Sequence, residues 1–197
     1  MTITDIVIVV AIVLFLGVYV SWRAGRLDRM HTRLEAARAA LDVTLVRRSS
    51  VALELASSGF LDPATSMLLA AAAHEARGSG ESEQGQIDLA SIELTQSNLS
   101  RALRAAFAQP GVRASLVSQD GAADLLAELE AAAHQVLVAR KFYNTAVAVT
   151  RDARRKPLVR ILRLAGKAGL PEFFEMDDSL AVAEDDGAGA DMQRLTG

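Results

Sequence analysis

Seventeen consecutive residues without a formal charge, IVIVVAIVLFLGVYVSW at positions 6–22, constrain this chain more than any other feature. A bilayer core takes about 20 mainly apolar residues of helix, and counting from Ile3 the run is long enough. Inside lipid a single segment must satisfy its own backbone, so helix is the one spanning form open to it. Within the run, Ile6 and Phe15 are candidate lipid-facing anchors, and Tyr19 and Trp22 mark the end where amphipathic rings favour the headgroup layer. The competing reading is a cleaved signal peptide, which calls for positive charge before a shorter apolar run and small residues at the cleavage site. The leading MTITD carries only Asp5, and the basic residues come afterwards. The expectation is therefore an uncleaved transmembrane helix over 6–22. Arg23, Arg26, Arg29 and Arg33 follow it, offset by Asp28 alone, which puts residues 1–5 outside and the C-terminal side in the cytoplasm.

Beyond the anchor the pattern is helical. Leu27, Met30, Leu34, Ala37, Leu41, Leu45, Val51/Ala52 and Leu55 recur mostly at spacings of three and four, with a break at Arg47 and Arg48. Ser57-Ser58-Gly59 supplies a stop, with Gly59 at C′ and Phe60 folding back on the last turn. Asp62-Pro63 opens a second helix, Asp as N-cap and Pro at N1, running to Arg77. GSGESEQGQ reads as a loop. A third helix is expected over 86–109, with Leu89, Ile92, Leu99, Leu103 and Phe107 on one side. Pro110-Gly111 closes it, and a connector follows to Gln119. Asp120 is the expected cap of a fourth helix reaching Arg155, striped by Leu125, Leu129, Ala132, Val136, Ala139, Tyr143, Val147 and Thr150. A short apolar-basic helix is expected over 158–164.

Nothing alternates convincingly with the period of a strand, and low aromatic content (5%) with abundant Ala, Leu and Arg favours helix. The expected class is all-α: one N-terminal transmembrane helix, then an antiparallel up-down bundle of about four helices. The stretches 23–58 and 120–155 hold 36 residues each, or about 54 Å of helix, and suit two long rods with shorter ones between them. Domain limits follow: 1–5 outside, 6–22 in the membrane, 23–176 a cytoplasmic bundle, and 177–197 a disordered acidic tail too poor in apolar bulk to pack.

Reactive chemistry is hard to find. With no cysteine, disulfides, iron–sulfur clusters and thiolate zinc sites are excluded. His31, His74 and His134 fall on three different predicted helices without metal-motif spacing, so surface or seam positions are favoured over ligation. The Gly78–Gly85 region lacks the Gly-Lys-Ser/Thr ending of a phosphate cradle. Glu128 and Glu130 stand two apart on a helix and do not face each other. No cofactor is expected. Arg47-Arg48 reads first as a solvated face and second as an interhelix salt bridge or a dock for an acidic partner. Tyr143-Asn144 reads as interhelix hydrogen bonding.

Charge also partitions along the chain. Residues 140–167 hold nine basic side chains against Asp152, whereas 168–197 hold eight acidic ones against Arg194. The basic stretch, with Arg154, Arg155, Arg160 and Arg163 as its candidate surface, suits an anionic inner leaflet or a cap pairing with the acidic tail. Nucleic acid is not expected as a partner, because no groove-reading motif or aromatic platform accompanies the charge.

Three patches resemble the LemA family of bacterial membrane proteins. DVTLVRRSSVALEL (42–55) is similar to that family's motif with paired basic residues. LEAAAHQVLVARKFYNTAV (129–147) matches its A-R…Y-N signature through Ala139-Arg140 and Tyr143-Asn144. Gly169-Leu170 to Phe174-Glu175 looks like its closing Gly-aromatic…Phe-Glu stretch. The chain departs from the family at Ala131-Ala132-Ala133-His134 and at Thr150-Arg151, where a second Tyr-Asn pair is usual. The resemblance implies a helical bundle on a bacterial cell-membrane anchor with no agreed catalytic activity, and marks Arg47, Arg48, Arg140, Tyr143 and Asn144 as motif positions. The leading expectation is a non-enzymatic, membrane-tethered adaptor or scaffold whose partner is an unknown protein, possibly itself, or the inner leaflet. Its rivals are a membrane-associated hydrolase using Tyr143, His134 or paired carboxylates, and a self-associating membrane-shaping protein.

Overall fold

The computed structural model describes residues 3–79, 88–108, 110–155 and 169–177, excepting the side chains of residues 9, 16, 20, 23, 24 and 27. The expected helix over 158–164, Arg160, Arg163 and the acidic tail from 178 onward lie outside these residues. Five helices follow one another: α1 (Ile3–Ser57), α2 (Pro63–Gly78), α3 (Leu89–Phe107), α4 (Val112–Val117) and α5 (Ala122–Arg155). Among the described residues there is no strand, as the lack of two-residue alternation leads one to expect.

Helix ends follow local chemistry. Gly59, just past α1, has φ of +81°, the left-handed conformation that Gly adopts without a Cβ penalty. Asp62 caps α2: its Oδ1 accepts the N–H groups of Ala64 and Thr65, each at 3.1 Å, with Pro63 behind it. Bonds from the Thr65 side chain and backbone, together with the Ala64 N–H, hold the Asp62 carboxyl below the ordinary carboxylate range. Asp88 caps α3 through Ala90 N–H, so this helix starts at Leu89 and not at 86.

Two further expectations are corrected. The connector before α5 contains a helix, α4, opened by Gly111 at φ of +91° and placing Leu116 in the core at 1% exposure. Six residues are too few for a periodic pattern to declare itself. Helix α5 begins at Ala122, after Gly121 at φ of +81°, with the Leu125 N–H bonded to the Gly121 carbonyl, so its start is set at Gly121 and not at Asp120.

The chain divides into two compact units, Met1–Arg38 with Tyr143–Phe173, and Ala39–Phe142 with Phe174–Gly197. The second unit holds the main core. Val51, Ala52 and Leu55 of α1, Leu69 and Ala73 of α2, Leu99 and Leu103 of α3, Leu116 of α4, and Ala122, Leu126 and Leu129 of α5 form one buried cluster. Each fully buried Leu contributes about 1.5–3 kcal/mol by leaving water, and the Ala positions let the helices approach closely. Within this unit α1 and α5 run antiparallel: Arg47 pairs with Glu128 at 3.3 Å, and the Phe60 ring lies near Gly121. Both partners of that ion pair are about half exposed, so it is worth about 0–1 kcal/mol.

In the first unit, Tyr143, Val147 and Thr150 of α5 are buried along one stripe, with Met30, Leu34 and Ala37 of α1 half-buried. Near the start of α1 the large apolar side chains are exposed, Phe15 at 77% and Trp22 at 59% among them. Among the described residues no helix is long and apolar enough to cross a membrane.

Candidate functional site

The polar groups of the second unit converge at two places. The first is a cluster buried where α1, α2 and α3 meet. Arg48 sits in the apolar stripe of α1 at 3% exposure, and α3 opposes it with Gln96 and Ser100, both buried. Its guanidinium donates to Gln96 Oε1 at 2.7 Å, to the Gln96 carbonyl at 3.1 Å and to Ser100 Oγ at 3.2 Å. The other end of the Gln96 amide donates to the Ala76 carbonyl at 3.2 Å and to Ser49 Oγ at 3.4 Å. One amide orientation satisfies all of these bonds. Ala76 lies in the last turn of α2, whose carbonyls have no intrahelical partner. Gln96 thus fastens three helices with one side chain. The two terminal nitrogens of Arg48 thus reach acceptors of α3, an arrangement suited to holding helices in register.

Arg47 and Arg48 therefore part company. Arg47 is exposed on the α1–α5 salt bridge, one of the alternatives weighed for the pair. Arg48 does not belong to a solvated face, because consecutive helical residues point about 100° apart and the second of the pair turns into the core. Gln96, Ser49 and Ser100 escaped sequence reading. The available signal was a polar pair, Gln96 and Ser100, standing four apart within the apolar row of Ile92, Leu99 and Leu103.

The second place is a seat for the non-helical residues 174–177. Phe174 is 1% exposed and Met176 9%, while Glu175 and Asp177 face outward, an alternation typical of extended chain. Helix α3 grips the backbone: Glu93 Oε1 accepts the Glu175 N–H at 2.8 Å and Ser97 Oγ accepts the Asp177 N–H at 3.2 Å. From α5, Arg140 donates to the Met176 carbonyl at 3.2 Å. Arg104 pairs with the Asp177 carboxylate.

In the first unit the preceding residues are held in a related way. The Tyr143 hydroxyl donates to the Glu172 carbonyl at 3.0 Å, and Arg151 donates to the Pro171 carbonyl at 2.7 Å while lying 4.8 Å from the Phe173 ring centroid. Arg154 donates to the Gly169 carbonyl at 2.6 Å and stands 2.9 Å from His31 Nε2. An arginine only donates, so this His31 nitrogen acts as the acceptor. Tyr143 accordingly bonds to non-helical backbone, and Asn144 beside it is half-buried and engaged. Arg154, expected at a membrane surface, is buried at 7% because its guanidinium closes on Gly169 and His31. Arg155 is exposed.

A cavity of about 610 Å³ opens beside the first cluster, between the C-terminal end of α2 and the facing parts of α1 and α3, with Asp42, His74, Arg77 and Gln96 on its wall. Tyr143 and His134 are not among its lining residues. Among the described residues no group of three or more His, Cys, Asp or Glu side chains could hold a metal ion. No family model, curated protein or solved structure matches the chain.

Proposed function

We propose that this chain is a single-pass, membrane-anchored helical adaptor without catalytic activity, its bundle held at the inner face of a bacterial membrane. The observation that carries the reading is the uncharged, mainly apolar run of residues 6–22 within a segment of α1 where Ile6, Val7, Ile8, Phe15, Val18 and Trp22 are exposed and Tyr19 is half-buried. Single exposed apolar side chains are ordinary, but so many in succession on a helix ask for a non-aqueous surrounding. Val9, Leu16 and Val20 complete the run in the sequence. The resemblance of residues 42–55, 129–147 and 169–175 to the LemA family supports the same reading. So does the use of the conspicuous polar residues, Arg48, Gln96, Arg140 and Tyr143, as fasteners between helices and backbone. Of the candidate surface arginines, Arg155 is described and exposed, which leaves it free of the bundle for the proposed contact with anionic lipid.

The test is extraction. Full-length chain in washed bacterial membranes should resist alkaline carbonate, keep its initial Met1-Thr2-Ile3 residues, and have a C-terminal tag shielded from protease in intact spheroplasts. Release by carbonate, or a product trimmed after position 22, would overturn the anchor.

A further inference from the structure

We propose that the contact between His31 and Arg154 is a proton-sensitive latch, which ties α1 to the end of α5 while the imidazole is neutral and lets go when it is protonated. Arg154 Nη2 stands 2.9 Å from His31 Nε2, and its Nη1 donates to the Gly169 carbonyl at 2.6 Å. A guanidinium has donors and no acceptor, so the contact needs a lone pair on that ring nitrogen, with the ring proton on Nδ1. A proton added to the ring goes to Nε2, the nitrogen that faces Arg154. The bond is then lost, and two cations stand against each other where Arg154 is 7% exposed and His31 half-buried. Histidine is the side chain that changes charge between about pH 5 and 8, which makes the ring and not the guanidinium the member that switches.

The neighbouring charges do not cancel this repulsion. On α1 the carboxylates one turn either side of His31 are Asp28 and Glu35, and both are exposed. From α5, Asp152 is exposed as well, while Arg151 and Arg155 add positive charge. Residues 169–173 contribute only Glu172, again exposed. The sequence between, 156–168, holds Lys156, Arg160, Arg163 and Lys167 and no acidic residue. Carboxylates in water are screened, whereas the buried guanidinium at 2.9 Å is not, so Arg154 decides the sign. The apolar side chains that α1 brings to this pairing, Met30, Leu34 and Ala37, are only half-buried, so losing the polar contact loosens α1 from α5. The hold on residues 169–173 stays, because Arg154 keeps Gly169 while Arg151 and Tyr143 keep Pro171 and Glu172. The pairing of the two helices is thus present while the ring is neutral and weakens as pH falls.

The chain has no native cysteine, so introduced thiols are unique. Thr32→Cys and Ala148→Cys place one spin label at an exposed position of each helix within the first unit and alter no charge. Pulsed dipolar spectroscopy of the doubly labelled full-length chain in mild detergent reads the distance between α1 and α5 at about pH 8 and about pH 5. The latch predicts a narrow distribution at the higher pH that becomes longer and broader at the lower one and recovers on return. Adding His31→Gln, whose amide oxygen accepts from Arg154 and does not titrate, should hold the narrow distribution at both. Adding His31→Lys, with its fixed charge, should give the broad distribution already at the higher pH. An unchanged distance across the two conditions would overturn the proposal, as would an equal response in the His31→Gln background or a narrow distribution with His31→Lys. Loss of helical dichroism at the lower pH in every background would overturn it too, since the change would then be unfolding and not release of one contact.

Discussion

Replacing Gln96 with Leu tests whether the buried cluster holds α1, α2 and α3 together. The substitution keeps helix propensity and similar bulk but removes the acceptor 2.7 Å from the Arg48 guanidinium and the donor to Ala76 and Ser49. A hydrogen bond to a charged group contributes about 1.5–3 kcal/mol, and a neutral one about 0.5–1.5 kcal/mol. The Ala76 carbonyl keeps the Ser79 hydroxyl at 3.1 Å, so the loss on the donor side lies at the lower end. The expected destabilisation is about 3 kcal/mol, most of it from a buried cation deprived of its best acceptor. Arg48→Met alone removes the charge and leaves Gln96 Oε1 short of a donor, at about 1–3 kcal/mol. In the Arg48→Met/Gln96→Leu double variant neither group is left stranded, so its loss should fall below the sum of the two singles by about 1.5 kcal/mol or more. Urea unfolding of the full chain in mild detergent, followed by far-UV dichroism, measures all four corners of the cycle. Additivity within about 0.5 kcal/mol, or a Gln96→Leu loss under about 1 kcal/mol, would refute the argument.

Other outcomes follow from the same geometry. Phe174→Ala should release residues 174–177 and leave the helices intact, seen as faster hydrogen exchange at the Glu175 and Asp177 amides with unchanged helicity. Substituting Ala for a buried Phe forfeits about 3–5 kcal/mol, ample to free so short a segment. The cap at Asp62 acts through a carboxyl whose folded pKa is lowered from 3.8. Its stabilisation is complete above the unfolded value and is lost as pH falls through the folded one. Asp62→Asn should therefore flatten the acid limb of a stability–pH curve below about pH 3.8, and an unchanged limb would count against the cap. At Gly121 an added Cβ would meet only the Phe60 ring at 3.9 Å, an ordinary contact, while φ of +81° disfavours any side chain. Gly121→Ala should lower stability by about 1–2 kcal/mol in thermal melts, entirely through the backbone.

Local rules carried the helices far. Spacing of Leu and Ala, the Asp62-Pro63 start and the Gly59 stop placed α1, α2 and α5 within a few residues, because each signal acts between neighbours in the chain. The stripe of α5 reappears as the buried set Leu129, Ala132, Val136, Tyr143, Val147 and Thr150. Helix α4 was illegible because six residues give no period, and its reason for existing, a pocket for Leu116, lies in other elements.

What the residues alone determined is the one-dimensional content: an uncharged leading run, helices with apolar faces, and capping groups bonded within three or four positions. Tertiary structure alone decided which polar groups are buried. Arg47 and Arg48 are the same residue type side by side, and only the arrival of Gln96 and Ser100 from α3 makes the second a core residue. Likewise, nothing near Phe174 announces that Glu93, Ser97, Arg104 and Arg140 will hold it, since these partners stand 36 to 82 residues away. A hydrogen bond across such separations depends on how helices pack, and a chain carries no local record of that.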